Sequence, residues 1–273
     1  MTPDKLKAQI YERLGIGPLW ISRSSPDPLL TEEPQKRQAP QPVPEPDTVA
    51  RPAALWRENF SKERPVGQHG APREVPDVSQ NDLIREKVKG ASWEELCGLI
   101  AGCAACRELA RSRTSTVPGI LGGTGGILLI GEAPGRDEDL MGEPFVGKSG
   151  KLLDNILSAF GLTRGKEVSI INVLKCRPPN NRDPLPQEAA ACGCFLARQI
   201  ELARPEKIIL LGKSAARAVL SSEAPMSALR GKRHHIESAG REVPVFVTYH
   251  PSFLLRSPQQ KEAAWRDFLF ALS

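Results

Sequence analysis

Four short apolar runs recur along the second half of the chain, and each one ends at a sharp polar boundary. Ile127 to Ile130 stops at Gly131-Glu132-Ala133-Pro134-Gly135, and Val168 to Leu174 runs into Lys175-Cys176-Arg177-Pro178-Pro179. Lys207 to Leu211 is closed by Gly212, and Val243 to Thr248 leads into Tyr249-His250-Pro251-Ser252. A strand buried on both faces reads as such an unbroken run, bounded by turn residues. Stretches with helical spacing separate the four. That alternation predicts an α/β fold: a three-layer α/β/α sandwich around a four-stranded parallel sheet. In open sheets of this kind ligands bind beyond the carboxyl ends of the strands. The turn after Ile130 is therefore the first place to look for a site.

The stretch from Ile127 to Asp154 reads as a strand, a Gly/Pro turn, an acidic loop, a second glycine loop and a helix start. Glu132, Asp137, Glu138 and Phe145 fall where a pocket needs polar and aromatic groups. Upstream, Ser92 with Glu95 three residues later is a capping box, and Leu96, Leu99 and Ile100 form an apolar stripe. Order is expected from about Asn81. Downstream, helices are predicted over Lys151 to Phe160, Pro186 to Ala203 and Gln259 to Leu272, the last with Trp265, Phe268 and Leu269 on one face. Four prolines in the segment from Lys175 through Pro186 make that connection a rigid loop.

Residues 1–80 differ from the rest. About half of the 25 prolines lie there and its charges roughly balance, so this extension is expected to stay disordered and residues 81–273 to form the folded domain. Within it, residues 5–21 pair a helically spaced stretch with an apolar island around Trp20, which reads either as a frayed terminal helix or as a docking peptide for a replication or repair protein with Trp20 as its anchor. This island is similar, over a few residues, to the N-terminal peptide of the clamp-loader psi subunit. No apolar run is long enough to cross a membrane and the start lacks a secretory core, which leads us to expect a cytoplasmic protein and a monomer. The net charge of +5 permits nucleic-acid binding without demanding it.

Six cysteines in a cytoplasmic setting point to metal ligands or bystanders rather than disulfides. Cys103 and Cys106 form a C-x-x-C pair at the end of a helix, while Cys176 and Cys192 lie in the proline loop and on the helix after it. Four thiolates from two pairs suit zinc or an iron–sulfur cluster, and spacing does not separate the two. Nor does it choose between Cys192 and Cys194 as a ligand. Cys97 and Cys194 otherwise read as buried free thiols.

Taken together and in order, GEAPGRDED, GEPFVGKSGKLLD, NVLKCRPPNNRDPLP with E-x-x-x-C, and TYHPSFLLR resemble a family 4 uracil-DNA glycosylase, the iron–sulfur class of the uracil-DNA glycosylase superfamily. The likeness runs from about Ser92 to the C-terminus. It implies a 4Fe–4S cluster on Cys103, Cys106, Cys176 and Cys192, a four-stranded parallel sheet, and hydrolysis of the glycosidic bond of deoxyuridine in DNA. A non-catalytic or tight uracil-DNA binder of the same superfamily is the alternative. The covalently trapping class uses a loop histidine that PPNNRDPLP does not carry.

The resemblance also implies roles. Phe145 stacks on the base, and Asn172 pairs with the uracil edge, for which an amide offers both donor and acceptor. His250 supplies a donor to the charge developing on uracil O2. Ala133 stands where the best-known uracil glycosylases carry a water-activating Asp, so water falls to Glu132 or Glu138, with Asn181 a further polar candidate near the pocket. The backbone N–H groups of Glu132 and Ala133 could hold a uracil carbonyl. Leu254 is expected as the wedge that fills the gap left by a flipped base. Arg256, Lys232, Arg233, Lys148 and Arg182 are expected at phosphates, with His234 and His235 solvated or phosphate-facing. Asp137 and Asp139 read as solvated loop acids.

Overall fold

The computed structural model describes the backbone of residues 78–273 and the side chains from residue 83 onward. The proline-rich extension, the peptide at 5–21 and Trp20 lie outside the described residues. The apolar runs form β1 (Ile127–Gly131), β2 (Val168–Asn172), β3 (Lys207–Leu211) and β5 (Arg241–Thr248), and between the last two lies β4 (His234–Ser238). The spatial order is β2-β1-β3-β5-β4. Pairs β1–β2, β1–β3 and β3–β5 are parallel, and β4 runs antiparallel to β5.

The sheet therefore has five strands, not the four expected. The added strand, HHIES, is an edge with alternating burial, so it carries no apolar run to mark it. Ala239 and Gly240 take φ of 49° and 73° between it and β5, the backbone of a tight two-residue hairpin turn. On the opposite edge, Ile120 bridges Ile170 and Gly122 N–H donates to the Ser169 hydroxyl at 2.9 Å. The turn-rich link thus covers the edge of β2 beside these residues.

Ten α-helices lie among the described residues. They are α1 (Val78–Lys89), α2 (Trp93–Ala101), α3 (Arg107–Ser112), α4 (Arg136–Met141) and α5 (Lys148–Ala159), then α6 (Pro186–Ala203), α7 (Lys213–Leu220), α8 (Met226–Leu229), α9 (Pro251–Arg256) and α10 (Lys261–Leu272). Alternate residues along a strand face opposite layers. Leu128, Ile130, Ile208, Leu210, Val245 and Val247 pack with Leu196 and Ile200 of α6 and Ala215 and Val219 of α7. Phe246, one position out of phase with that set, meets Phe270 of α10 edge-on at 5.4 Å. The two faces are therefore covered by different helices, which gives the three layers.

Two local expectations change. The acidic loop is the short helix α4, capped by the Glu138 side chain reaching back to Gly135 N–H at 3.1 Å. On α10, Phe268 is buried and Trp265 stacks on Phe160 at 4.6 Å, but Leu269 is 48 % exposed. The capping box at Ser92 and Glu95 forms as its spacing requires.

Candidate functional site

The parallel register sets Gly131 directly beside Asn172, at the carboxyl ends of β1 and β2. A side chain at Gly131 would collide with Asn172 Oδ1 and come within 2.8 Å of Phe145 Cζ, so glycine here is what lets the two groups converge. Phe145 is 5 % exposed and sits at φ 55°, an uncommon conformation for a bulky residue. Gly150 permits it: a Cβ there would drive into the Phe145 carbonyl. The Asn172 side chain is buried, and its Oδ1 has no hydrogen-bond partner. An unpaired buried polar atom costs about 1–3 kcal/mol, and among the described residues this acceptor shares that state only with Gln199 Oε1.

His250 completes the group. Its ring lies 5.5 Å from that of Phe145, tilted by 31°. It caps α9: its Nδ1 accepts the Ser252 backbone N–H at 3.1 Å and lies 2.8 Å from the Ser252 hydroxyl. An N–H can only donate, so Nδ1 must be the acceptor and the ring proton sits on Nε2. Burial, with Arg256 nearby, lowers the His250 pKa to about 4. At neutral pH this residue is an uncharged imidazole with one fixed donor.

The acids divide. Glu132 is half-buried beside the pocket, and its Oε2 accepts the Ser214 hydroxyl at 2.6 Å. Burial raises its pKa, while the Ser214 bond pulls the other way. Glu138 has its oxygens on backbone donors, from Gly135 at 3.1 Å and from Val146 and Gly147 at 3.0 Å. It therefore ties the GEAPG turn to the Phe145 loop. Asp139 is 2 % exposed, not a solvated loop acid, and takes the N–H groups of Thr114 and Ser115. Asn181 is exposed, with its side-chain oxygen on Arg177 at 2.7 Å, so it is not gathered with the pocket residues.

Among the DNA-facing expectations, Leu254 is corrected. It is 1 % exposed and packed inside, because the inward side of α9 carries Pro251 and Leu254 while Leu255 is 43 % exposed. Arg256 is exposed and near enough for its charge to act on both Glu132 and His250. Lys148, Lys232 and Arg233 are exposed as well. Arg182 is not a free cation, since it forks onto Glu188 at 2.7 and 2.9 Å and reaches Glu108 at 3.2 Å. His234 is likewise engaged, its Nε2 2.8 Å from the Leu229 carbonyl, and His235 lies 3.7 Å from Glu242.

The cysteines gather beside the pocket, and Ala133 packs against their cluster. Cys176 and Cys192 are buried in one cluster with Leu109 and Leu174, and Cys106 packs against it. Burial pushes the Cys192 thiol up to about 12 and raises Cys106 further, and the neighbouring Cys103 and Cys176 sulfurs add to both shifts. Cys192, not Cys194, shares the local cluster with Cys176, whereas Cys194 packs beside Phe195. Cys97 and Cys194 are half-buried free thiols. Two cations face the group. Arg113 bonds Cys176 Sγ at 2.9 Å, and the fully buried Lys175 donates its ammonium to the Asn172 carbonyl. Buried thiolates need compensating positive charge, and a soft metal centre plus these cations supplies it, so the donor set fits such a group. Among the described residues, no three Cys, His, Asp or Glu side chains close round a single ion.

Several of these residues escape a linear reading. Ser214 follows the end of β3 and was findable by the same strand-end rule that picked out Asn172. Arg113, Lys175 and the burial of Asp139 carry no local signal. Their partners lie 63 positions away for Arg113 and 25 for Asp139.

Comparison with known proteins bears on this geometry. The family model described as the uracil DNA glycosylase superfamily matches residues 120–269. A type-4 uracil-DNA glycosylase of Archaeoglobus fulgidus is 44 % identical over 181 residues, covering 65 % of this chain and 90 % of the relative. One from Pyrobaculum aerophilum is 41 % identical over 178 residues, with 64 % and 90 % coverage, and one from Thermotoga maritima is 43 % identical over 155 residues, with 57 % and 79 % coverage.

Proposed function

This chain belongs to the uracil DNA glycosylase superfamily, and from that premise we propose that it hydrolyses the N-glycosidic bond of deoxyuridine in DNA, releasing uracil and leaving an abasic site. The observation that carries the reading is the buried, partnerless Asn172 Oδ1, which converges with the Phe145 ring over Gly131, with the neutral His250 ring 5.5 Å from that of Phe145. A base cannot be attacked inside the duplex, so the nucleotide turns out into this mouth. Phe145 takes the face of the ring. The Asn172 amide reads the O4 and N3–H edge, a donor–acceptor pattern that cytosine does not offer. As the C1′–N1 bond breaks, its electron pair passes to the uracil ring and charge builds on O2. The fixed Nε2–H of His250 donates there, and the backbone N–H groups of Glu132 and Ala133 are further donors.

The sugar that remains carries the positive charge of an oxocarbenium-like state; water adds at C1′ and releases one proton, and the uracil anion takes up one to leave as neutral uracil. With Ala133 in the usual position of an acid, Glu132 is the group we assign to position that water. Its Ser214 bond holds the carboxylate in place. Glu138 acts through the loop it braces, as a positioning residue. Arg256, Lys148, Lys232 and Arg233 meet phosphates, and Leu255 replaces Leu254 as the side chain that fills the gap in the stack.

Cys103, Cys106, Cys176 and Cys192 would hold a 4Fe–4S cluster, which supplies a structural staple rather than a reacting group. The support is the four-thiol donor set, its two cations and kinship. The acting species is a cytoplasmic monomer, and residues 5–21 dock a replication or repair protein. Described residues contain no helix long and apolar enough to cross a membrane. The test is direct: end-labelled single- and double-stranded DNA with one uracil, incubated with the protein and treated with alkali, should break only at that position. Intact strands, from protein whose fold and iron content are intact, would reject the reading.

A further inference from the structure

Arg113 is a cation that neither the pocket nor a phosphate path explains. It stands just beyond α3, and its guanidinium is forked across the cysteine site. Nη1 donates to Cys176 Sγ at 2.9 Å, while Nη2 donates to the Cys103 carbonyl at 2.8 Å and reaches that of Ala101 at 3.5 Å. One side chain therefore joins the C-x-x-C turn to the cysteine of the proline loop. The backbone that follows it is pinned as well. Thr114 and Ser115 give their N–H groups to the Asp139 carboxylate at 2.9–3.3 Å, and the Ser115 hydroxyl bonds the Asp139 carbonyl at 2.6 Å. Asp139 lies on α4, the helix that follows the GEAPG turn. Arg113 is thus held in place from the pocket side and spent on the cysteine side.

A guanidinium is permanently charged, and its planar fork can serve two acceptors in fixed geometry. Hydrogen bonds and positive charge at a thiolate draw electron density from a cluster and favour its more negative, reduced state. The Arg113 fork supplies both at one sulfur, while also fixing the distance between two ligand-bearing segments. A surface lysine or a water in the same place could do only part of this.

We propose that Arg113 is the positioning residue of the cysteine site, which holds Cys176 against the Cys103 turn and raises the reduction potential of the cluster through its N–H···S bond. This rests on the reading of the four cysteines as cluster ligands. The experiment uses the full chain as isolated without oxygen, with Arg113→Met and Arg113→Lys beside it. Iron and acid-labile sulfide are measured first, then the midpoint of a redox titration and the rate of bleaching by a chelator. Arg113→Met should make reduction about tenfold less favourable, a shift of about 59 mV to more negative potential for one electron. It should also bleach about tenfold faster. Arg113→Lys keeps the charge but not the fork, so it should recover part of the potential and little of the bleaching rate. If Arg113→Met loads no cluster at all, the lysine variant carries the test by the same two readouts. A loaded variant with the potential and bleaching rate of the parent overturns the proposal. A parent chain without iron and sulfide overturns the cluster reading itself, and this proposal with it.

Discussion

The pocket and the cysteine site are built by opposite means. At the pocket, backbone geometry converges the groups: a parallel register puts Asn172 beside Gly131, a positive φ turns Phe145 inward, and a helix cap orients His250. At the cysteine site, side chains do the joining, with Arg113 spanning to Cys176 and Arg182 spanning Glu188 and Glu108. The first arrangement follows from strand order, so most of it can be anticipated from motifs at strand ends. The second rests on contacts between distant positions and on a group the chain does not encode. The comparison predicts that lesions should separate: pocket variants should lose chemistry and keep the fold, and cysteine-site variants should do the reverse.

The sharpest break is expected from Cys192→Ala. It should abolish cluster iron and lower the thermal midpoint by roughly 6–12 °C if the staple is worth about 3 kcal/mol in a domain of this size. Iron analysis beside calorimetry checks both. His250→Ala should show the mirror image, a loss of roughly 100- to 1,000-fold in kcat, as for other removed oxyanion donors, with a thermal midpoint close to that of the parent. A large fall in midpoint for this variant would erase the distinction between the two regions.

Asn172→Ala should come next. It removes the unpaired acceptor, so base discrimination should fall by roughly 10- to 100-fold when uracil and cytosine substrates are compared. Leu254 and Leu255 refine the picture within one helix. Leu254→Ala should cost about 2–5 kcal/mol of stability as a core truncation. Leu255→Ala should leave stability nearly unchanged and weaken binding to uracil-containing duplex by several-fold, read by titration at fixed salt.

A further effect is one of pH. His250 is neutral in the folded chain down to about pH 4, whereas its ordinary value is 6.5. The unfolded chain therefore binds the extra proton first, and stability gains with rising pH between those values. His250 contributes no penalty above about pH 6.5, and its burial begins to cost stability as pH falls toward 4. Denaturant midpoints of the parent and of His250→Gln, compared from pH 7 to 4.5, should draw apart as the pH falls, the parent falling relative to the variant, because the parent alone carries this term. Parallel curves would contradict the assignment.

Much of this architecture is legible before any coordinates. Pro186–Ala203 and Lys207–Leu211 form the helix and strand their patterns predict, because an apolar run or a helical stripe is a local property. β4 hides because an edge strand needs only alternate burial, and HHIES shows a single large apolar residue. Leu254 and Leu255 are chemically alike, and only the turn of α9 decides which is buried. Asp139 reads as a surface acid until Thr114 and Ser115 are seen to fold back onto it. Kinship named the pocket residues, and the structure shows what links them: Ser214 on Glu132 and Ser252 on His250.

The central claim is that the mouth formed by Phe145, Asn172 and His250 cuts uracil from DNA. Chromatography of free base released from uracil-containing single-stranded DNA, under single-turnover conditions with parent, Asn172→Ala and His250→Ala proteins, tests it most directly. The account predicts free uracil from the parent and a rate lower by roughly 100-fold or more for His250→Ala. Bound DNA with no uracil released by the parent, or release unaffected by both substitutions, would contradict it.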